Sequence, residues 1–404
     1  MTQKLIVVKY GGSVLEDGAA FRKASGAVKE EHDSGVKVVV VVSALKGVTD
    51  RLLAAAEAIS PETPRSVIDH IIGLGEEQSV RLMTSALKTI GVDAVEVTPG
   101  SPSWPIVTDE NYGDAEPIFE ECESGAELGV RPLIERGRVP VVCGFVGRSL
   151  SGNITTLGRG GSDTTAVILA RCLGADELVL VKDVGGVCSA DPKKVEGAKT
   201  LEALSAWEAN LLASSGAKVL HDKVFRYKPD DLRIRIVSKD DGLNGSGTMI
   251  SGTVPELEVK VHGNPVTSIT VLGDLVSDPD IMTHVLKAVG NKGGNVLLVK
   301  SDREVSTLFV DGPPVELLTE VHSIVDSTEQ LKALSGSDDL ALIEIRGRKL
   351  SDLSGAMQRI DETLSSKGVF VKGRFMSQSS LRILVNWERR FQASKLAEET
   401  LGRL

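Results

Sequence analysis

The sequence predicts an α/β protein in which a large, mostly parallel sheet sandwiched by helices is followed by a smaller unit that occurs twice. Three observations predict this. Short apolar runs alternate with helix-length segments up to residue 253. One of those runs, Val36–Ser43, is almost continuous valine, and a strand that apolar on both faces belongs inside a covered parallel sheet. Beyond residue 253 a strand–helix–strand–strand–helix rhythm recurs at constant spacing, with Ile269–Gly273 aligning with Ile343–Gly347 and Ser277-Asp278 with Ser351-Asp352.

The elements follow in order. Leu5–Val8 reads as a strand broken by Gly11-Gly12-Ser13, and Phe21–His32 as a helix. Val36–Ser43 is the next strand, ended by polar Ser43. Helices are expected at Asp50–Ile59 and over the longer Ser66–Gly91, which contains Gly73 and Gly75. Ala94–Thr98, Val139–Phe145 and Glu177–Val181 read as strands, and Gly161–Leu173 as a helix with Ser162 or Asp163 near its start. Strand–helix alternation of this kind builds a largely parallel sheet. Asn244–Thr253, rich in Gly and Ser, reads as a domain boundary. In the repeated unit the helices are Asp280–Lys292 and Leu353–Lys367. Strands Asn295–Val299 and Val369–Lys372 follow them, then Val305–Val310 and Leu381–Val385. Helices Val315–Val325 and Phe391–Leu401 complete a βαββαβ pattern. The expected domains are 1–253, 254–330 and 331–404, with a strand at 257–262 able to pair into the last.

Composition agrees and excludes other classes. At ~150 residues per domain, 404 residues correspond to two or three domains. Hydrophobic and charged fractions of 41% and 25% exclude a disordered or fibrous chain. A net charge of −10, without long like-charge runs, argues against nucleic-acid binding. The cysteines Cys122, Cys143, Cys172 and Cys188 lie far apart, without metal-site spacing, as in a reduced intracellular protein. No signal peptide or membrane-length apolar segment is read, so the expectation is a cytoplasmic protein with no membrane contact.

The 41 glycines are partly concentrated in three loops that each follow a strand. Lys9-Tyr10-Gly11-Gly12-Ser13 places a lysine at a strand end beside two glycines. Gly158-Arg159-Gly160-Gly161-Ser162-Asp163 opens a helix, where backbone N–H groups favour anions. Asp183–Pro192 is the third. Taken alone, the second loop fits an anion site or simply a tight strand-to-helix turn; it is neither a Walker A loop nor G-x-G-x-x-G. Together, two glycine-lined loops and a lysine at strand ends suit a polyphosphate, and Arg159 offers a planar fork for a carboxylate or phosphate.

These residues resemble the aspartate kinases of the amino-acid kinase superfamily. Lys9-Tyr10-Gly11-Gly12 matches the family's opening K-F-G-G. Ser43-Ala44 with Gly47-Val48-Thr49 matches its S-A…G-x-T segment, and Gly75-Glu76 its helix-opening G-E. Thr155–Ala166 is similar to its signature almost letter for letter. Asp183–Pro192 resembles D-V-D-G-V-Y-T-A-D-P, and Gly216–His221 resembles G-A-K-V-L-H. The resemblance implies an amino-acid-kinase three-layer sandwich followed by two ACT-like βαββαβ regulatory domains. It implies transfer of the ATP γ-phosphoryl group to the β-carboxylate of L-aspartate, with Mg²⁺ bridging the phosphates and no protein cage of metal ligands. By resemblance Lys9, Asp163 and Arg159 are catalytic. Ser43, Thr49, Glu76, Arg159 and Ser162 hold aspartate. Lys9, Gly11, Gly12, Ser13, Lys182, Asp183, Gly186, Val187, Ala190, Asp191 and Lys218 hold the nucleotide. An effector amino acid, lysine or threonine, is expected near Ser277, Asp278, Asp280, Ile281 and Met282, facing Ser301, Asp302 and Glu304. A homodimer or dimer of dimers is expected. The chain departs from the family at Lys182, usually Thr or Ser, and at Gly185 and Cys188. Two other readings remain open from sequence: another amino-acid kinase, of the acetylglutamate-kinase kind, and a catalytically inactive amino-acid sensor.

Overall fold

A computed structural model describes residues 3–216, 220–274, 280–348, 350, 353–377 and 379–402. The chain forms two compact units, Met1–Val254 and Pro255–Leu404.

The first unit begins β1 (Leu5–Tyr10), α1 (Gly18–Asp33), β2 (Lys37–Val42), α2 (Val48–Ile59), α3 (Arg65–Thr89) and β3 (Ala94–Val97). A short strand β4 (Val107–Thr108) precedes α4 (Phe119–Gly125), a π-helical turn and α5 (Arg131–Glu135). Next come β5 (Val139–Cys143), β6 (Val146–Ser149), β7 (Ile154–Thr156), α6 (Gly161–Leu173) and β8 (Glu177–Lys182). β9 (Ala203–Ser205), α7 (Ala206–Ser214), α8 (Lys223–Tyr227), β10 (Arg233–Ser238) and β11 (Gly247–Ser251) close the unit. Eight strands form one sheet in the order β3-β5-β2-β1-β8-β10-β11-β9. The pairings from β3 through to β10 are parallel. β1 is buried along its whole length and β2 along all but its first residue, as strands covered on both faces must be. Their valines lie in one core with side chains of α1, α3 and α6.

Two local readings change. Within Asn244–Thr253, read as a boundary, Gly247–Ser251 is strand β11, antiparallel to β10. A Cβ on Gly247 would lie 1.9 Å from the Ile236 carbonyl oxygen, so glycine here serves close strand approach rather than a linker. Gly75-Glu76 does not open a helix but lies inside the 25-residue α3. The short β4-β6-β7 sheet carries too few residues to show a period in sequence.

The second unit comprises β12 (Glu258–Val261), β13 (Val266–Gly273), α9 (Asp280–Asn291), β14 (Asn295–Ser301), β15 (Val305–Asp311) and α10 (Pro314–Ser327). It continues with β16 (Leu331–Arg346), α11 (Leu353–Ser366), β17 (Gly373–Met376), β18 (Ser380–Asn386) and α12 (Arg390–Leu401). Its sheet runs β14-β15-β13-β16-β18-β17, with β12 also on β16, and these pairings are antiparallel. The 16-residue β16 belongs to both repeats. Its first part pairs with β13 and its last part with β18 and β12. The register slips beside Asp339, whose φ of 54° is left-handed, a conformation that Asp tolerates better than most residues. The strand read at Val369–Lys372 falls instead at Gly373–Met376. Among the described residues no helix is long and apolar enough to cross a membrane.

Candidate active site

Parallel pairing delivers the ends of β1, β2 and β8 to one edge of the sheet, where open α/β sheets hold ligands. Lys9 stands in register with Leu180. Lys182, two residues on, therefore projects from the same sheet face as Lys9. Asp163, in the first turn of α6, lies between the two ammonium groups: its Oδ2 accepts a hydrogen bond from Lys182 Nζ at 2.6 Å, and its Oδ1 is ion-paired with Lys9 Nζ at 2.7 Å. Burial by itself would raise the Asp163 pKa; Lys182 and Lys9 outweigh it and hold the carboxyl well below the usual carboxylate range. Burial also lowers the Lys9 pKa, helped by Lys182 and opposed by Asp163.

Two cavities meet at this cluster. The smaller, about 310 Å³, is lined by Lys9, Ser43, Thr49, Glu76, Phe145, Gly158, Arg159, Gly160, Gly161, Ser162 and Asp163. It thus gathers every residue expected to hold aspartate. Ser43 is anchored by its amide, which donates to the Tyr10 carbonyl at 3.0 Å. Arg159 is exposed at the rim and pairs with no carboxylate among the described residues. Glu76 is buried, and its Oε2 has no hydrogen-bond partner. Burial pushes its pKa up to about 8, against the Ala44 backbone amide and the Lys9 charge.

Phe145 was not anticipated. Its φ of 67° is a true outlier for a bulky residue. Its amide donates to Thr165 Oγ1 at 2.9 Å, and its ring lies where a Cβ on Gly161 would be, 2.6 Å from Cδ2. The glycine of the signature makes room for that ring. No local pattern signals it, because the strain is imposed by α6. Gly12 is similarly constrained: a Cβ there would lie 2.6 Å from the Ala44 carbonyl oxygen. Gly11 lies closer to the lysine, its Cβ position being 3.5 Å from Lys9 Nζ and 4.0 Å from Ser13 Oγ.

The larger cavity, about 650 Å³, is lined by Lys182, Asp183, Gly186, Val187, Ala190 and Asp191, all expected at the nucleotide. Cys188, Pro192, Lys193, Lys194, Leu212, Ser215 and Gly216 also line it. The α7 residue Leu212, and Ser215 just beyond it, had no motif to announce them. Lys218 lies outside the described residues.

In the second unit, Ser277 and Asp278 lie outside the described residues. Asp280 begins α9, Ile281 is buried in the core, and Met282 packs against that core. Ser301 ends β14. The Asp302 carboxylate accepts the Glu304 and Val305 amides at 3.0 and 2.8 Å, closing the β14–β15 hairpin.

Comparison with known proteins gives the same picture. The profile of the amino acid kinase family matches residues 4–238. The aspartokinase of Geobacillus stearothermophilus is 30% identical over 98% of this chain and 96% of its own length. That of Corynebacterium efficiens is 32% identical over 94% and 91%. E. coli aspartokinase III, solved with aspartate and ADP in its R-state, shares the fold at 24% identity and a TM-score of 0.56, over 99% of this chain and 100% of that one. The same protein has been solved with lysine and aspartate in its T-state. With a family profile over more than half its length and near-full-length relatives at this identity, the chain belongs to the aspartokinases of the amino acid kinase family.

Proposed function

We propose that the chain is an aspartate kinase that transfers the γ-phosphoryl group of ATP to the β-carboxylate of L-aspartate, giving 4-phospho-L-aspartate and ADP. One observation carries the assignment of roles. A carboxylate clamped between two lysines joins a small cavity lined by Arg159 and Glu76 to a larger, nucleotide-sized cleft. Aspartate fills the small cavity, its α-carboxylate on Arg159, its ammonium on Glu76 and its side chain near Ser43 and Thr49. The attacking carboxylate has an ordinary pKa of ~3.9 and is ionised at neutral pH, so no general base is required. The difficulty is to bring two anions together. Lys9 offsets the charge on the transferring group, Asp163 holds Lys9 in place, and the amides of Gly11 and Gly12 add donors. Among the described residues no group of three or more His, Cys, Asp or Glu is placed to hold a metal ion, and Asp163 is already engaged by two lysines. Asp183 and Asp191 are the acids lining the cleft that would hold a magnesium ion carried in with the nucleotide, which would supply charge neutralisation at the phosphates.

The decisive experiment is a hydroxylamine trap with ADP release, run with aspartate, glutamate, acetylglutamate and carbamate. Hydroxamate from aspartate alone supports the reading; turnover with glutamate or acetylglutamate but not aspartate overturns it.

Residues 254–330 and 331–404 are proposed to be ACT-like regulatory domains following a catalytic domain over 1–253. They bind lysine or threonine near the start of α9 and associate the chain as a homodimer or dimer of dimers. Titrating both amino acids during turnover tests this; kinetics unchanged by either and by both together would remove the regulatory assignment.

A pH dependence follows from Glu76. In the free protein its carboxyl is neutral below about pH 8, but pairing with an ammonium needs the carboxylate. Aspartate binding at pH 7 therefore releases a proton. KM for aspartate should fall as pH rises, by up to about tenfold per unit, and level off near pH 8. Glu76→Gln should raise KM and flatten that slope. A KM that stays constant from pH 6.5 to 8.5 in the wild type would contradict the assignment.

A further inference from the structure

We propose that Lys182 is a catalytic cation for the departing ADP, acting opposite Lys9 across the shared Asp163 carboxylate. The inference deepens the aspartate kinase reading and rests on it. Lys9 and Lys182 hold different oxygens of Asp163, at 2.7 and 2.6 Å, and they open into different spaces. Lys9 lines the small cavity and not the large cleft, whereas Lys182 lines the cleft and not the cavity. Both side chains are held against motion, Lys9 being 7% exposed and Lys182 16%. Lys182 keeps that exposure while lining the larger cleft. One carboxylate cannot neutralise two ammonium groups, so the cluster carries a net positive charge directed at both ends of the transfer path.

Phosphoryl transfer has two such ends. The aspartate carboxylate donates an electron pair to phosphorus as the bond to the bridging oxygen of ADP breaks, and that oxygen keeps the bonding pair. No proton moves, and charge accumulates on the β-phosphate. A cation placed before the reaction on the leaving side stabilises that charge in the transition state more than in bound ATP. Lys182 occupies that side. Asp163 thereby sets the spacing of two cations with one group, and Lys182 does not simply duplicate Lys9.

The test uses the full chain. ADP and AMP dissociation constants are measured by calorimetry with magnesium present, and kcat and KM by ADP release, for wild type, Lys182→Met and Lys182→Arg. Lys182→Met should lower kcat by roughly 10²-fold and weaken ADP by about tenfold while AMP changes by less than about twofold. KM for aspartate should hold, and Lys182→Arg should recover part of the ADP affinity. A kcat within about threefold of wild type, or equal weakening of ADP and AMP, would overturn the proposal. If the wild type instead yields no hydroxamate from aspartate, the functional reading fails, while the ADP and AMP comparison still reports on Lys182.

Discussion

Replacing Asp163 by alanine will both end phosphoryl transfer and destabilise the first unit. The carboxylate is buried between Lys9 and Lys182, and its removal leaves two ammonium groups at the sheet edge without the counter-charge that offsets their desolvation. Breaking a buried ion pair from one side costs about 3–5 kcal/mol, equivalent to a loss of roughly 6–20 °C in Tm for a domain of this size. The sign with pH is settled by the direction of the shift. The Asp163 carboxyl titrates below its unfolded value, so its contribution is complete above about pH 4 and is lost as pH falls further. Thermal unfolding of wild type and Asp163→Ala at pH 7 checks the first claim. The double variant Asp163→Ala/Lys182→Met should regain part of the lost Tm without activity, since it removes one stranded cation. A single variant that melts within about 2 °C of wild type would show that the cluster is not a stabilising ion pair.

Lys9→Ala tests the other half of the cluster. Asp163 keeps Lys182 as a partner, so the variant should fold. The small cavity loses the charge facing the acceptor side, and kcat should fall by roughly 10³-fold or more, the scale of removing a cation from a phosphoryl-transfer site. ATP affinity should change little, because the large cleft is lined by other residues. Lys9→Arg should rescue poorly, since a planar fork cannot replace a compact, buried ammonium paired with Asp163. Stopped-flow ADP release with separate measurement of ATP binding distinguishes the two effects. A near-normal kcat would remove Lys9 from the chemistry.

Much of this site was legible because its signals are local. A lysine before two glycines, an Arg-Gly-Gly-Ser-Asp turn opening a helix, and a second glycine loop each specify backbone geometry within a few residues. Parallel pairing then brings such strand ends together. The same locality explains the misreadings. Asn244–Thr253 reads as a boundary because its composition is that of a loop, and the units do divide just beyond it, but Gly247 lies in a strand whose close approach to Ile236 no local pattern shows. Glu76 matches a helix-opening Gly-Glu only by resemblance; the helix read over Ser66–Gly91 already encloses it, and it lies inside a 25-residue helix with one oxygen unsatisfied. Its raised pKa comes from burial, which sequence does not display.

By itself the sequence determined the alternation of strands and helices, the twofold repeat of the second unit, and the residue types that line the two cavities. Periodicity and turn chemistry act over a few residues, and a single chain records them directly. Tertiary structure alone decided that Lys182, expected at the nucleotide in place of the family's Thr or Ser, shares Asp163 with Lys9. It also decided that Phe145 is forced into a left-handed backbone against Gly161, and that β16 serves both repeats. Each depends on the register between strands, or on helix packing, among residues far apart in the chain. Such register is set by the summed burial of whole strands, not by any local motif.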